Sequence, residues 1–321
     1  MRAAQVVTTT GPSDIQIREV PEPTPGPDDV LIEVHRVGTS FPDLLLSRGE
    51  YQLKPEVPFT LGVDVAGTVV SGPGFEAGQR VAAVGPYGGA GERAVVPAMF
   101  AFALPDSISF DEGAALPMNY LTAQFALAER GGLKAGETVL VHGAAGGVGT
   151  ATIQVAKGHG ARTIAVVSTQ EKAEVARAAG ADEAVLVDGF KDAVMGLTDG
   201  RGVDVVLDVV GGDAFTDSLR VLAPLGRLLV VGFASGQGIP QVKVNRLLLN
   251  NVDVRGVGWG AYAMARPGFM QDQWAALLPM MESGVVKPPV GKVYDFEDFG
   301  QALVDMDERR TLGKGVVRVR D

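Results

Sequence analysis

Apolar and polar positions follow two different rhythms along this chain. In the N-terminal third the apolar runs are short and are bounded by Gly and Pro. Residues 1–7, 15–20, 30–37, 64–70 and 80–84 read as strands. Between them stand Pro21-Glu22-Pro23-Thr24-Pro25-Gly26-Pro27, Ser71-Gly72-Pro73-Gly74 and Gly85-Pro86-Tyr87-Gly88-Gly89-Ala90-Gly91. Many short strands with such turns predict a compact, partly open β-barrel. The pattern turns helical over 111–130. Apolar, β-branched runs at 138–141, 162–167, 183–187, 203–209 and 226–231 then alternate with helical or loop segments at 150–157, 169–179, 190–197 and 213–222. Repeated strand–helix units predict a parallel sheet covered by helices on both faces. After residue 260 this rhythm ends. Helices over 271–282 and 296–309, with strands over 290–294 and 315–320, are expected to return to the first domain. The expected division is 1–120 with 261–321 against 121–260.

The first strand–helix junction carries the sharpest chemistry. Thr138-Val139-Leu140-Val141 runs through His142 into Gly143-Ala144-Ala145-Gly146-Gly147-Val148-Gly149, and a small-residue helix follows. Side chains are missing where a pyrophosphate must approach the backbone, and the helix N-terminus offers free N–H groups to an anion. Ala145, Gly146, Gly147 and Val148 are the candidate contacts. The next strand ends at Ser168, nineteen residues past Gly149. A unit that takes NAD usually places Asp or Glu about 20 residues on, against the ribose hydroxyls. Here the segment reads Ser168-Thr169-Gln170-Glu171-Lys172. No carboxylate stands at the strand end to repel a 2′-phosphate, Ser168 can donate to it and Lys172 can supply charge. NADPH is the expected cofactor. The competing reading makes Ser168 or Thr169 a helix N-cap and Lys172 a solvated lysine.

Composition narrows the field. The 321 residues suit two domains, and 43 Gly and 19 Pro beside a 46% hydrophobic fraction indicate tight turns in a folded chain. A net charge of −10 argues against nucleic acid or an anionic membrane surface as partner. No apolar run reaches the roughly 18 residues of a membrane span, and residues 1–7 lack the apolar core of a signal peptide. A cytoplasmic location is expected. There is no cysteine, hence no thiol nucleophile and no thiolate metal site. The three histidines are scattered. His35 is expected on the exposed face of its strand, His142 ends the first cofactor strand, and His159 closes a helix.

Together these segments resemble the medium-chain dehydrogenase/reductases, in particular the zinc-free quinone oxidoreductases of zeta-crystallin type. The resemblance spans nearly the whole chain. It is carried by Pro21-Glu22-Pro23, Ser47-Arg48-Gly49-Glu50-Tyr51, Leu61-Gly62-Val63-Asp64-Val65-Ala66-Gly67, Gly78-Gln79-Arg80-Val81, Leu121-Thr122-Ala123, His142 through Gly149, Gly180-Ala181-Asp182 and Asp208-Val209-Val210-Gly211-Gly212. It implies an α/β architecture: a GroES-like, partly open β-barrel catalytic domain and a Rossmann cofactor domain with a doubly wound parallel sheet. Val63-Asp64 stands where zinc-dependent relatives have His-Glu, so the resemblance implies no metal.

What it implies chemically is hydride transfer from NADPH to a quinone, or to an enone or enoyl thioester. Ser40 stands where relatives commonly have Asn, beside the nicotinamide. Tyr51 lines up with a tyrosine near the nicotinamide pocket that is the proposed proton donor in enoyl-thioester reductases; the alternative is an aromatic packing on a barrel loop. Thr122 matches a cofactor-contacting threonine at a helix start. Gly232, Phe233 and Ser235 lie on a segment expected to pass beneath the nicotinamide, with backbone groups free for its carboxamide. Arg310 is expected to join Ser168 and Lys172 around the 2′-phosphate, where Asp188 replaces a tyrosine of some relatives. A homodimer through the sheet edge near 252–258 is also implied. A non-catalytic NADPH-binding protein is the reading from another class.

Overall fold

The computed structural model describes all 321 residues. In chain order the first stretch forms β1 (Arg2–Val6), β2 (Gln16–Glu19), β3 (Asp29–Gly38), α1 (Phe41–Ser47), β4 (Phe59–Thr60), β5 (Asp64–Ser71), β6 (Arg80–Val84), β7 (Arg93–Pro97), β8 (Ala101–Ala103) and α2 (Phe110–Ala115). Then come α3 (Pro117–Gln124), a π-helical turn over Phe125–Arg130, β9 (Thr138–His142), α4 (Gly147–Gly158), β10 (Arg162–Val167) and α5 (Gln170–Ala178). They are followed by β11 (Glu183–Leu186), α6 (Phe190–Leu197), β12 (Val203–Asp208), α7 (Asp213–Ser218) and β13 (Leu222–Val230). The chain continues as α8 (Asn245–Asn250), β14 (Asp253–Gly256), α9 (Trp259–Met264) and α10 (Phe269–Glu282), and ends with β15 (Val290–Asp295), α11 (Phe299–Asp307) and β16 (Lys314–Arg318).

Contacts divide the chain into two units. The first holds Met1–Met118, Met270–Trp274 and Pro288–Asp321. Its larger sheet has the order β15-β16-β3-β5-β6-β8, with β7 also paired to β3, and a small sheet runs β2-β1-β4. β3 turns Val30, Ile32 and Val34 into the core between less buried neighbours, the period-two pattern of a half-buried strand. β15 and β8 end the larger sheet without meeting, so the barrel is open. His35 is not on an exposed face: its ring stacks on Phe110 at 4.3 Å.

The second unit holds Asn119–Phe269 and Ala275–Lys287. Its six strands run in the order β11-β10-β9-β12-β13-β14, all parallel. The order switches sides at β9, the place where open α/β sheets bind ligands at their C-terminal ends. Leu140, Ile164, Val166, Val206 and Leu228 from the strands pack with Phe190, Val194, Phe215 and Leu219 from the helices.

Two elements depart from the pattern-based expectation. β13 begins at Leu222, and α7 stops at Ser218, because Val203 pairs with Leu222 while Val205 pairs with Arg227. Pro224 and Leu225 bulge outward, and Leu225 is exposed at φ +65°. The return to the first unit is also not a single crossing at residue 261. α9 still belongs to the second unit, and α10 is divided. Its first turns place Gln271 Nε2 2.8 Å from Ala101 O and stack Trp274 on Phe102 at 4.8 Å. Its later turns place Met280 against Gly158, where an added Cβ would come within 2.4 Å of the sulfur.

Candidate active site

The second unit builds its cradle from the end of β9. Gly143 turns the chain at φ +62°, and Gly146 N closes the turn on Gly143 O at 2.9 Å. A Cβ on Gly149 would come within 2.2 Å of Gly143 O, so only glycine lets the helix seat this closely on the turn. α4 then begins with no side-chain cap and no acidic residue in its first turn. The N–H groups of Gly147, Val148 and Gly149 lack partners from helical geometry, which makes this end fit a pyrophosphate. At the end of β10, Thr169 caps α5 by accepting from Lys172 N at 3.3 Å. The cap role thus falls on Thr169, leaving Ser168 as the exposed strand end with Lys172 in the first helical turn.

After β12, Asp208 Oδ1 accepts from Val210 N and Gly211 N at 2.8 and 2.9 Å. The Gly232–Ser235 segment lies alongside this turn. Its Ala234 N and Ser235 N donate to Val209 O and Val210 O at 3.0 and 2.9 Å. These two N–H groups are therefore not available to a carboxamide, contrary to the expectation for the segment. Phe233 is 40% exposed. Thr122 is buried near the end of α3 and is not at a helix start. Arg310 belongs to the first unit, where it is held by Asp305 at 2.7 Å and by Glu308. It is not part of the second unit's own nucleotide-binding surface.

In the first unit Ser40 sits at the start of α1, inside a buried polar cluster. Lys314 Nζ donates to Asp64 Oδ2 at 2.6 Å and to Ser40 Oγ at 2.7 Å. Ser40 Oγ gives its hydrogen to Asp64 Oδ2 at 2.7 Å, and Met118 N donates to Asp64 Oδ1 at 2.8 Å. Ser40 therefore presents a lone pair, not a hydrogen, to anything further. Asp43 accepts from Ser40 N and Gly62 N at 3.0 and 2.9 Å, and its burial pushes its pKa up to about 7. Tyr51 packs against the core beside this cluster. Burial first, and then the Asp43 charge, raise its phenol above the usual tyrosine range. Lys314 and Asp43 were not singled out from the sequence. Lys314 stands in Gly313-Lys314-Gly315, with no local pattern pointing to a partner 250 residues away.

The family model for the alcohol dehydrogenase GroES-like domain matches residues 26–106, and that for zinc-binding dehydrogenases matches residues 147–283. The chain is 35% identical to quinone oxidoreductase-like protein 2 of Rattus norvegicus over 313 residues, 95% of this chain and 89% of that protein. Among solved structures, a probable oxidoreductase from Mycobacterium abscessus is 41% identical with a TM-score of 0.91, over 99% of this chain and 98% of that one. The quinone oxidoreductase from Thermus thermophilus, also solved in complex with NADPH, is 33% identical with a TM-score of 0.88, over 99% and 100%. With matches of this extent across both units, the chain belongs to the quinone oxidoreductase branch of the medium-chain dehydrogenase/reductase superfamily.

Proposed function

We propose that the protein is an NADPH-dependent quinone oxidoreductase that works without zinc. The observation that carries the cofactor choice is the end of β10, where Ser168 stands in place of a ribose-binding carboxylate and Lys172 follows in the first turn of α5. The backbone of Ala145, Gly146, Gly147 and Val148 would hold the pyrophosphate, and Ser168 and Lys172 the 2′-phosphate. Thr122, Gly232, Phe233 and Ser235 are the proposed contacts on the nicotinamide side. When bound, NADPH supplies the hydride.

The residues where zinc-dependent relatives carry ligands do not suit a metal. The chain has no cysteine, and Asp64 already holds the Lys314 ammonium at 2.6 Å. No group of three or more His, Cys, Asp or Glu side chains gathers elsewhere. Without a Lewis acid, an acceptor that needs little polarisation is favoured, and quinones meet that condition. Ser40, its hydrogen held by Asp64, has a lone pair for the carboxamide N–H on the nicotinamide side and no hydrogen for a quinone carbonyl. Tyr51 keeps its proton across the physiological range. The second reading is an enone or enoyl-thioester reductase with Tyr51, which packs near Asp43, as acid. A homodimer through β14 completes the proposal. β14 ends its sheet with one edge unpaired, and Val244, Leu248 and Leu249 beside it are all at least 70% exposed.

The test is NADPH oxidation against a panel of quinones, enones and enoyl thioesters. Turnover of simple quinones supports the proposal. Activity confined to enoyl thioesters promotes the second reading, and NADPH binding with no turnover of any acceptor supports a non-catalytic NADPH-binding protein.

A further inference from the structure

The second unit contains a buried histidine and a buried aspartate side by side at the roots of its two glycine loops. β9 and β12 pair in parallel through Val139↔Val205, Leu140↔Val206 and Val141↔Leu207. The next residues are His142 and Asp208, so their side chains stand on the sheet face that carries Leu140 and Val206. His142 is 1% exposed and Asp208 0%. Ser218 Oγ donates its one hydrogen to Ala214 O at 2.6 Å. The 2.7 Å contact between His142 Nε2 and Ser218 Oγ must then use the ring's hydrogen. That leaves Nδ1 of the neutral ring bare. Asp208 Oδ1 is bonded to Val210 N and Gly211 N, while Oδ2 is buried with no partner. Two neighbouring residues thus each present an acceptor and lack a donor.

The side chains around the pair do not titrate. β10 sets Val166 beside His142, and β13 sets Val230 beside Asp208. α6 brings the Phe190 ring edge-on to the imidazole at 5.0 Å, and α7 brings Ser218. Asp208 is the one charge that acts on His142; it favours the imidazolium, and burial opposes it more strongly.

We infer that His142 and Asp208 position the two glycine loops of the cofactor unit, and that His142 takes up a proton at Nδ1, toward Asp208 Oδ2, when the anionic dinucleotide binds. Each loop starts from one member of the pair: Gly143–Gly149 from His142, and Val209–Gly212 from Asp208. A polyanion on the first loop favours a positive charge on the ring beneath it. Affinity then rises as pH falls, by at most about tenfold per pH unit for a single linked proton. This rests on the NADPH reading of the unit.

With three histidines in the chain, ¹⁵N spectra of the imidazoles can be assigned with His35→Gln and His159→Gln. The free protein near pH ~8, well above the ordinary imidazole pKa, is expected to show His142 with hydrogen on Nε2. Addition of NADPH near pH ~6.5 is expected to protonate a larger share of the ring. Asp208→Asn keeps an oxygen for Val210 and Gly211 and puts an amide N–H where Oδ2 was. It is expected to abolish proton uptake in calorimetry and to flatten the pH dependence of NADPH affinity. The wild-type protein compared in the same buffers cancels the titration of the 2′-phosphate itself. Asp208→Ala is expected to lose at least about tenfold in affinity, since two N–H groups lose their acceptor. A hydrogen on Nδ1 in the free protein, or an Asp208→Asn variant that still takes up the wild-type number of protons, overturns the inference. A folded wild-type protein that binds no NADPH overturns the cofactor reading and the linkage together, while the tautomer result stands on the free protein.

Discussion

Lys314 and Asp64, 250 residues apart in sequence, form a buried ion pair with Nζ 2.6 Å from Oδ2. It ties β16 to β5, two strands that do not pair with each other, at the foot of α1. A pair taken this far out of water is costly to break from one side. Lys314→Met keeps the stem but leaves a buried carboxylate facing only the Ser40 hydroxyl and Met118 N–H. It should lower unfolding free energy by about 3–5 kcal/mol in denaturant titrations. Asp64→Asn combined with Lys314→Met removes both charges and should recover more than about half of that loss. If the double variant is no more stable than the single one, charge burial is not what governs the site.

Cofactor choice should depend on the first turn of α5. Lys172→Ala should lose about 1–3 kcal/mol in NADPH binding, the range of a hydrogen bond to a charged group, and little in NADH binding. Fluorescence titration of both dinucleotides checks this. Equal affinity of the wild-type protein for the two would refute the assignment of Ser168 and Lys172.

Tyr51 separates the two proposed reactions. The reduced quinone oxygen can take its proton from water, so Tyr51→Phe should leave quinone turnover within roughly tenfold, about 1.4 kcal/mol in the barrier. An enoyl reduction should fall by the about 10²–10⁴-fold typical of a positioned acid. A quinone rate that drops by roughly three orders of magnitude with NADPH binding intact would make Tyr51 an essential acid for both.

The Asp43 carboxyl, pushed up to about 7 by burial, sets a stability profile of known sign. Its folded-state pKa lies above the ordinary aspartate value of 3.8, so the folded protein holds a proton that the unfolded chain has released. The stability this contributes is full below the lower value and is lost as pH rises through about 7. Between pH ~5 and ~8 the wild-type protein should lose stability relative to Asp43→Asn, whose profile lacks this slope. Denaturation midpoints across that range provide the measurement, and parallel profiles would remove Asp43 from the account.

Activity should survive chelators unchanged. Stoichiometric metal in elemental analysis, with hydride transfer lost on its removal, would contradict the zinc-free proposal.

What the sequence revealed was local. The turn Gly143–Gly149 and the absence of a carboxylate at Ser168 are readable because strand, loop and helix are contiguous there. Lys314 escaped notice because a lysine between two glycines carries no period, and its meaning comes from residues on β5 and α1. The bulge in β13 was hidden for another reason. The pattern ends a helical or loop segment at 222 and starts a strand at 226, whereas one strand runs from Leu222 and its pairing skips residues 223–226. The loss of Ala234 and Ser235 as free donors depends on their pairing with the turn after Asp208, which no run of single residues encodes.

The divided helix α10 has a practical consequence for re-engineering this scaffold. The chain passes between the two units after Met118, Phe269, Trp274 and Lys287. A modular graft of the nucleotide-binding half onto another reductase would need a joint at each of these, three of them inside helices α3 and α10. Neither half is a contiguous cassette, so recombination has few places to cut. A change of coenzyme preference is therefore more accessible through point substitutions around Ser168 and Lys172 than through exchange of the whole module.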